Sequence, residues 1–340
     1  MTAPTQPVCT VCIANYNGES LLTDCIDSVL NQQCDFAFDI IVHDDASTDS
    51  SLELLATRYP QVKVIASQYN VGFCVSNNRM VEVATGQFIL LLNNDAALAP
   101  DALETLHKHA MQQSTQGIFT LPQYDWESGT LVDRGCLLDP FYNPVPNLDQ
   151  NRHEVAMVIG ACLWIPRKLW VKLGGFPEWF ESIAEDMQIC CHARLSGFPV
   201  EVTQKSGYRH RQGKSFGGNR SNAGRLETSF RRRRLSERNK TYVMALCTPT
   251  PLIWFLLPAH MLALLAEGII LTLVTLNLNI IIRIYINTLN SLIANRNTLI
   301  KERQPIQKAR AISVKHYNRL FTTYPRKLRL LFKFGIPKIK

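Results

Sequence analysis

Residues 88–100 read FILLLNNDAALAP, and the reading of this stretch decides the fold. Five apolar side chains run without interruption into two amides and a carboxylate. A strand with one wet face alternates apolar and polar residues. An unbroken apolar run suits a strand covered on both faces, as in a parallel sheet between helices. Asn93, Asn94 and Asp95 then stand at the strand's carboxyl end, the edge where open α/β sheets bind ligands.

Working outward gives the same alternation. Residues 8–14 are strand-like, and NYNGE (15–19) leads into a helical pattern through Leu21, Leu22, Cys25, Ile26 and Val29. Residues 39–43 form a second strand ending on DDASTD (44–49), where Asp45, Ser47 and Asp49 suit a helix N-cap. Residues 62–66 are a third strand and 74–84 a helix. The pattern predicts a mostly parallel α/β sheet flanked by helices, with NYNGE, DDASTD and NND gathered at one edge. From 119 to 151 it dissolves into Pro, Asp, Gly and aromatic residues, as in a loop-rich substrate region. Periodicity returns at 155–166 and in a helix over 184–196.

Charge divides the chain. Residues 1–208 carry 11 Lys/Arg against 24 Asp/Glu, a net of −13, and residues 209–340 carry 25 against 4, a net of +21. An acidic body followed by a basic tail asks for an anionic partner of the tail. Arg231 to Arg234 would suit nucleic acid if they stood alone, but no base-stacking aromatics surround them and the acidic body repels a polyanion, so nucleic acid is excluded. Residues 248–282 are almost wholly aliphatic, with Glu267 their single charge. Flanked by basic residues on both sides, they suit a re-entrant hairpin or in-plane helices on an anionic membrane surface, or a helical subdomain buried in a dimer. The expected domains are 1–240, catalytic, and 241–340, a helical membrane-associated tail. No signal peptide opens the chain, which predicts the cytoplasmic face of the plasma membrane. The 10 cysteines lie mostly in apolar runs and read as core residues, the CxxC of Cys9 and Cys12 included.

IANYNGE (13–19), IVHDDASTDSS (41–51), NVGF (70–73), GQFILLLNNDA (86–96), VIGACLWIPRKLWVKLGGF (158–176) and AEDMQICCHARLSGFPV (184–200), in that order, resemble the inverting family-two nucleotide-sugar glycosyltransferases of GT-A fold, in particular the rhamnosyltransferase-like branch of bacterial polysaccharide enzymes. The resemblance covers about residues 7–239. It implies transfer of a sugar, rhamnose from dTDP-rhamnose for that branch, to a glycan or lipid-linked acceptor. A divalent cation, Mg²⁺ or Mn²⁺, would neutralise the leaving diphosphate. The resemblance makes Asp95 the metal ligand, with Asn93 beside it where many members have Asp. It puts Ala14, Tyr16 and Glu19 on the base and ribose side, and makes Asp44 an acceptor from the base. Asn70, Gly72 and Phe73 lie beneath the diphosphate. Of the acidic pair Glu185-Asp186, the second carboxylate is the general base that deprotonates the acceptor hydroxyl. His210 is a third metal ligand or a surface residue, and Arg209, Arg211 and Lys214 are alternative phosphate contacts. A nucleotidyltransferase on the same fold would need a glycine-rich basic loop that NYNGE lacks, and a non-catalytic membrane adaptor would not need Asp95 and Asp186.

Overall fold

In the computed structural model, which describes residues 6–212, 218–222 and 225–340, the alternation becomes β1 (Cys9–Asn15), α1 (Glu19–Leu30), β2 (Phe38–Asp44), α2 (Ser51–Arg58), β3 (Lys63–Ala66), α3 (Phe73–Val83) and β4 (Phe88–Asn93). Strand β1 pairs in parallel with β2 and β4, and β2 with β3. Both faces of β4 are covered, with Phe88 to Leu92 all buried. That double burial is why its apolar run is unbroken.

The next elements are β5 (Ala96–Leu98), α4 (Ala102–Gln112), β6 (Ile118–Thr120), β7 (Gln123–Asp125), β8 (Leu131–Asp133), β9 (Cys136–Leu138), β10 (Pro144–Pro146) and β11 (Cys162–Pro166). After them come α5 (Arg167–Leu173), α6 (Glu185–Leu195), β12 (Val200–Val202) and β13 (Tyr208–His210). The main sheet has the order β12-β6-β11-β4-β1-β2-β3. Strand β11 runs against both its neighbours β4 and β6, so the sheet is mixed.

The stretch expected to be loop-rich supplies β6 to β10. With β5 and β13, strands β7 and β8 build a second sheet of order β5-β13-β7-β8. Strands of three residues are too short for a two-residue period to stand out in sequence. In β1, Cys9 and Cys12 are an odd number of residues apart and point to opposite faces of the strand, both buried and free. Burial pushes both thiols well up, as expected of core residues.

Contacts divide the described residues into two units, one within 1–136, 146–193 and 198–215, the other within 137–145, 194–197 and 216–340. The boundary expected at 240 instead falls inside α7 (Phe230–Cys247). This helix begins RRRRLSERNK and passes without a breaker into TYVMALC, so a change in hydropathy there is not a change of unit.

The second unit continues with α8 (Ile253–Thr275), α9 (Leu278–Ile280), a π-helical stretch at Ile281–Ile286, α10 (Asn287–Ala294), α11 (Arg296–Lys308), α12 (Val314–Asn318) and α13 (Arg326–Phe334). A small sheet joins β14 (Gly218–Asn222), β15 (Arg225–Thr228) and β16 (Lys338–Ile339). The apolar run turns back at Leu276 (φ 51°). Ile280, Ile284 and Tyr285 then pack on Leu264 and Leu271 of α8.

Glu267, the single charge of that run, accepts from Arg233 Nη2 at 2.6 Å and pairs with Lys327. Next to it Glu237 is buried between Lys240 (2.7 Å), Lys327 (2.7 Å) and Arg233 (3.2 Å), and Lys240 Nζ also donates to Asn143 Oδ1 at 2.8 Å. A charged knot thus holds α7, α8, α13 and the 137–145 segment within one unit. The opposite side of α8 is bare: Trp254, Phe255, Leu262 and Leu273 are 70%, 72%, 68% and 67% exposed. Among the described helices, α8 alone is long and apolar enough to cross a membrane by length and composition.

Candidate active site

A line of polar side chains crosses the carboxyl ends of three adjacent parallel strands. Asn94 Nδ2, just past β4, donates to Asn15 Oδ1 at 2.8 Å. Asn15 Nδ2, at the end of β1, donates to Asp44 Oδ2 at 2.9 Å, and Ser47 Oγ closes on the same oxygen at 2.7 Å. Ser47 N donates to Asp44 Oδ1 at 2.9 Å. Asp44 is therefore buried with both oxygens engaged by its own neighbours. Within the protein it is a clasp that fixes the edge.

Gly18 is required by this line, because a Cβ there would lie 2.2 Å from Asn15 Oδ1 and 2.3 Å from Asn94 Nδ2. Gly18→Ala should accordingly cost about 1–3 kcal/mol as the amide pair is forced apart, measured by chemical denaturation. A loss below a few tenths would show that the pair yields freely.

Of the turn residues expected to cap the next helix, Asp49 does so, its Oδ1 accepting from Ser51 N at 3.1 Å and Ser51 Oγ at 2.6 Å at the first residue of α2. Asp45 instead reaches 26 residues along the chain, its Oδ1 accepting from Val71 N at 2.6 Å, and its Oδ2 accepting from Gly72 N at 2.9 Å. It fixes the NVGF loop, in which Gly72 has φ 90° and ψ 163°, a conformation that an L side chain rarely adopts. Asp49 accepts from Glu19 N at 3.0 Å while Glu19 Oε2 accepts from Ser50 N at 3.3 Å. Expected beside the nucleotide, Glu19 thus ties α1 to α2. Tyr16 is 51% exposed at the mouth of β1, free to stack. Ala14 is partly buried below it, and Asn70 is exposed.

Asp95, Asn93 and His210 meet although 115 residues separate Asp95 from His210. His210 Nε2 lies 3.0 Å from Asp95 Oδ1 and 3.5 Å from Asn93 Nδ2, with Asp95 and His210 both buried. Sequence reasoning missed Gln123 on β7. Its Oε1 accepts from Tyr208 Oη at 2.7 Å and faces His210 Nδ1 at 3.3 Å. An amide oxygen only accepts, so Nδ1 carries a proton; in the imidazolium Nε2 then donates to the Asp95 carboxylate, and in the neutral ring Nε2 turns its lone pair toward it.

Two acceptors facing each other at this distance suit a shared cation. Cis ligands of an octahedral ion with bonds of about 2.1 Å stand about 3.0 Å apart. Among the described residues no cluster of three or more His, Cys, Asp or Glu exists, so the protein's share would be one carboxylate, one imidazole and the Asn93 amide. The described residues thus fit a Mg²⁺ or Mn²⁺ ion completed by its other partner. Arg211 is committed elsewhere, to Asp24 at 2.5 Å and over the Trp126 ring at 3.7 Å. Arg209 is exposed on the strand face opposite His210. Lys214 lies outside the described residues.

Asp186 opens α6 and is reached through two consecutive residues before β11. Ala161 O accepts from Asn93 N at 3.1 Å, and Gly160 N donates to Asp186 Oδ2 at 2.9 Å. Met187 N holds the other oxygen at 2.7 Å. One short backbone step thus couples the mouth of β4 to the Asp186 carboxylate. Burial pushes that carboxyl above the ordinary range, against the two amide N–H groups.

Glu185 is buried alongside. Glu181, Ile183 and Ala184 all have positive φ (67°, 72° and 68°), and for a β-branched residue such as Ile183 this is strain of about 1–3 kcal/mol, a cost found where geometry is functional. Glu181 O accepts from Cys74 N at 3.2 Å. Burial, and after it the nearby charges of Glu185 and Asp186, pushes the Cys74 thiol up. The NVGF loop and the acidic pair therefore share one site.

Comparisons with known proteins bear on the fold. Residues 10–173 match the model of the family described as Glycosyl transferase family 2. Poly(ribitol-phosphate) beta-glucosyltransferase of Bacillus spizizenii is 30% identical over 165 residues, 47% of this chain and 24% of that enzyme. The chain spans 18% to 33% of the length of the first other curated relatives it matches. TarS 1-349 of S. aureus, solved with UDP-GlcNAc, superposes with a TM-score of 0.55 at 18% identity, over 92% of this chain and 90% of that one. Mannosyltransferase PcManGT of Pyrobaculum calidifontis, solved with GDP-Man and Mn²⁺, gives 0.51 at 16% identity, over 93% and 85%. These likenesses establish a GT-A-like α/β fold.

Proposed function

We propose that residues 10–173, which match the model of Glycosyl transferase family 2, carry the chemistry of an inverting glycosyltransferase, moving a sugar from a nucleotide-diphosphate donor to a hydroxyl of a polysaccharide or lipid-linked acceptor. The observation that carries this reading is the Asp95–His210 pair beside Asn93, joined by one backbone step to Asp186. Asp95 and His210, with the Asn93 amide, hold the divalent cation, which when bound neutralises charge on the departing diphosphate.

Ala14 and Tyr16 take the base side. Asn70 and Gly72, with Asp45 fixing their loop, lie under the diphosphate. Asp186 removes the acceptor's proton as its oxygen attacks the anomeric carbon from the face opposite the leaving group, and Glu185 supports it. The residues proposed for catalysis lie in the first unit, and the tail lies in the second. Its bare apolar α8 and the basic residues after it hold the chain on an anionic membrane, at the cytoplasmic face.

The test is release of nucleoside diphosphate by the purified full chain, with an acceptor, from a panel of UDP-, GDP- and dTDP-sugars that includes dTDP-rhamnose. Acceptor-dependent release from one donor is expected, lost in chelator and restored by Mg²⁺ or Mn²⁺. Asp95→Ala should lower turnover at least 100-fold and remove Mn²⁺ binding by calorimetry. Turnover undiminished by chelator would sink the metal assignment, and release from no donor would sink the transfer reading.

A further inference from the structure

A cavity of about 380 Å³ lies in the second unit, lined by Phe230, Arg231 and Arg234 of α7, Ile282 and Arg283 of the π-helical stretch, and Asn287. Three guanidinium groups around one opening would ordinarily be offset by carboxylates. Here Arg233, one position away in α7, takes Glu237 and Glu267. Among the described residues neither Arg234 nor Arg283 has an acidic partner, and Arg234 Nε is buried without a hydrogen-bond acceptor. Arg283 lies over the Phe230 ring at 5.4 Å, which orients its fork without neutralising it. Planar forks lining one cavity match the oxygens of a phosphate.

The remaining walls select the source of that phosphate. Phe230 and Ile282 are apolar, and Ile282 is 54% exposed, continuous in sequence with Leu276 and Leu278 at 91% and 70% exposure. A free phosphate would leave these walls facing water. A phosphate carrying hydrocarbon would cover them and extend onto the bare apolar surface. We propose that this arginine cavity is a binding site for the phosphate headgroup of an anionic lipid. The inference rests on the membrane reading above but adds a stereospecific site to it, since general basic charge needs no cavity.

Co-sedimentation of the full chain with phosphatidylcholine vesicles, and with vesicles containing phosphatidylglycerol, separates the two ideas. Each basic residue at an anionic surface is worth about fivefold in partitioning. Wild type should bind the phosphatidylglycerol vesicles at least tenfold better than the neutral ones. Arg234→Gln with Arg283→Gln should lose most of that increment and keep the neutral-lipid binding. Arg234→Lys with Arg283→Lys, which keeps the charge, should still lose more than half of it. Arg329→Gln, an exposed basic residue of α13, should change it less than twofold. Thermal unfolding of each variant checks that the fold is kept.

Equal binding by wild type and the Lys pair would overturn the site in favour of diffuse charge. Displacement by millimolar inorganic phosphate would reassign it to a soluble ligand and overturn the lipid assignment. Binding to neutral lipid without any phosphatidylglycerol increment would sink the site while leaving the membrane reading, and binding to neither vesicle would sink both.

Discussion

Asp186→Asn should lower turnover by about 10²–10⁴-fold while donor affinity stays within twofold of wild type, because a general base acts in the chemical step and not in binding the donor. The wild-type profile supplies a second check. Burial raises the carboxyl, so the base is ionised only above an apparent pKa higher than the ordinary carboxylate range. Activity should fall, as pH is lowered, through that raised value, and the limb should vanish in the residual activity of the Asn variant.

Linkage adds a third. A carboxyl raised on folding favours the protonated native state, and its stabilisation is fully present below the unfolded pKa and lost as pH rises through the folded one. At neutral pH Asp186 therefore brings no stability, and the Asn variant should melt no lower than wild type by more than a few degrees. Full turnover in the variant would remove Asp186 from the mechanism. A large loss of stability with it would make the residue structural.

Glu237→Ala should cost about 3–5 kcal/mol, because it strips Lys240, Lys327 and Arg233 of a shared buried partner. Burial alone would raise the Glu237 carboxyl. The three cations outweigh it and hold the carboxyl well below the usual range, while burial brings Lys240 down to about 8. The sign follows: a depressed carboxyl contributes stability that is present above its unfolded pKa and lost as pH falls through the folded one. Wild type should therefore keep its second unit folded well into acid, and Glu237→Ala should show a flatter dependence there. Denaturant unfolding followed by far-UV circular dichroism between pH 2 and 7, taken as rough working limits, reads both quantities. A loss under about 1 kcal/mol would mean that the three cations find other partners.

The parallel half of the main sheet was legible because β1, β2 and β4 are buried on both faces and their apolar runs end on polar clusters. Strand β11 was visible as a strand, but its direction was not, since no local pattern records whether a partner runs with or against it. At the site, Asp95, Asn93 and His210 do come together. Gln123 and the pairing of Asn15 with Asn94 went unnoticed because the partners are far along the chain: Asn94 and Asn15 are 79 residues apart, and an amide at a strand end looks like any turn residue. Asp45 was misassigned for the same reason, whereas Asp49 does cap α2 through Ser51 N. A carboxylate satisfies whichever orphan N–H folding brings to it, and for Asp45 that was the 71–72 loop and not the next helix. The unit boundary was illegible because α7 changes from polar to apolar with no break in the helix.

The second unit draws residues 137–145 out of the middle of the chain, and Tyr142 Oη, buried there, bonds Thr248 Oγ1 at 2.8 Å and Tyr317 Oη at 3.1 Å at sequence separations of 106 and 175. A ribosome adding about 5–20 residues per second needs roughly 10–35 s to travel from the first tyrosine to the second. During that interval the nascent chain can complete most of its main sheet, but the 137–145 segment must wait with its aromatic side chains uncovered. Synthesis rate, chaperone occupancy and completion of the chain through Tyr317 should therefore govern how much of this protein reaches its native state, with products ending before Tyr317 recognisable by proteolysis inside 137–145.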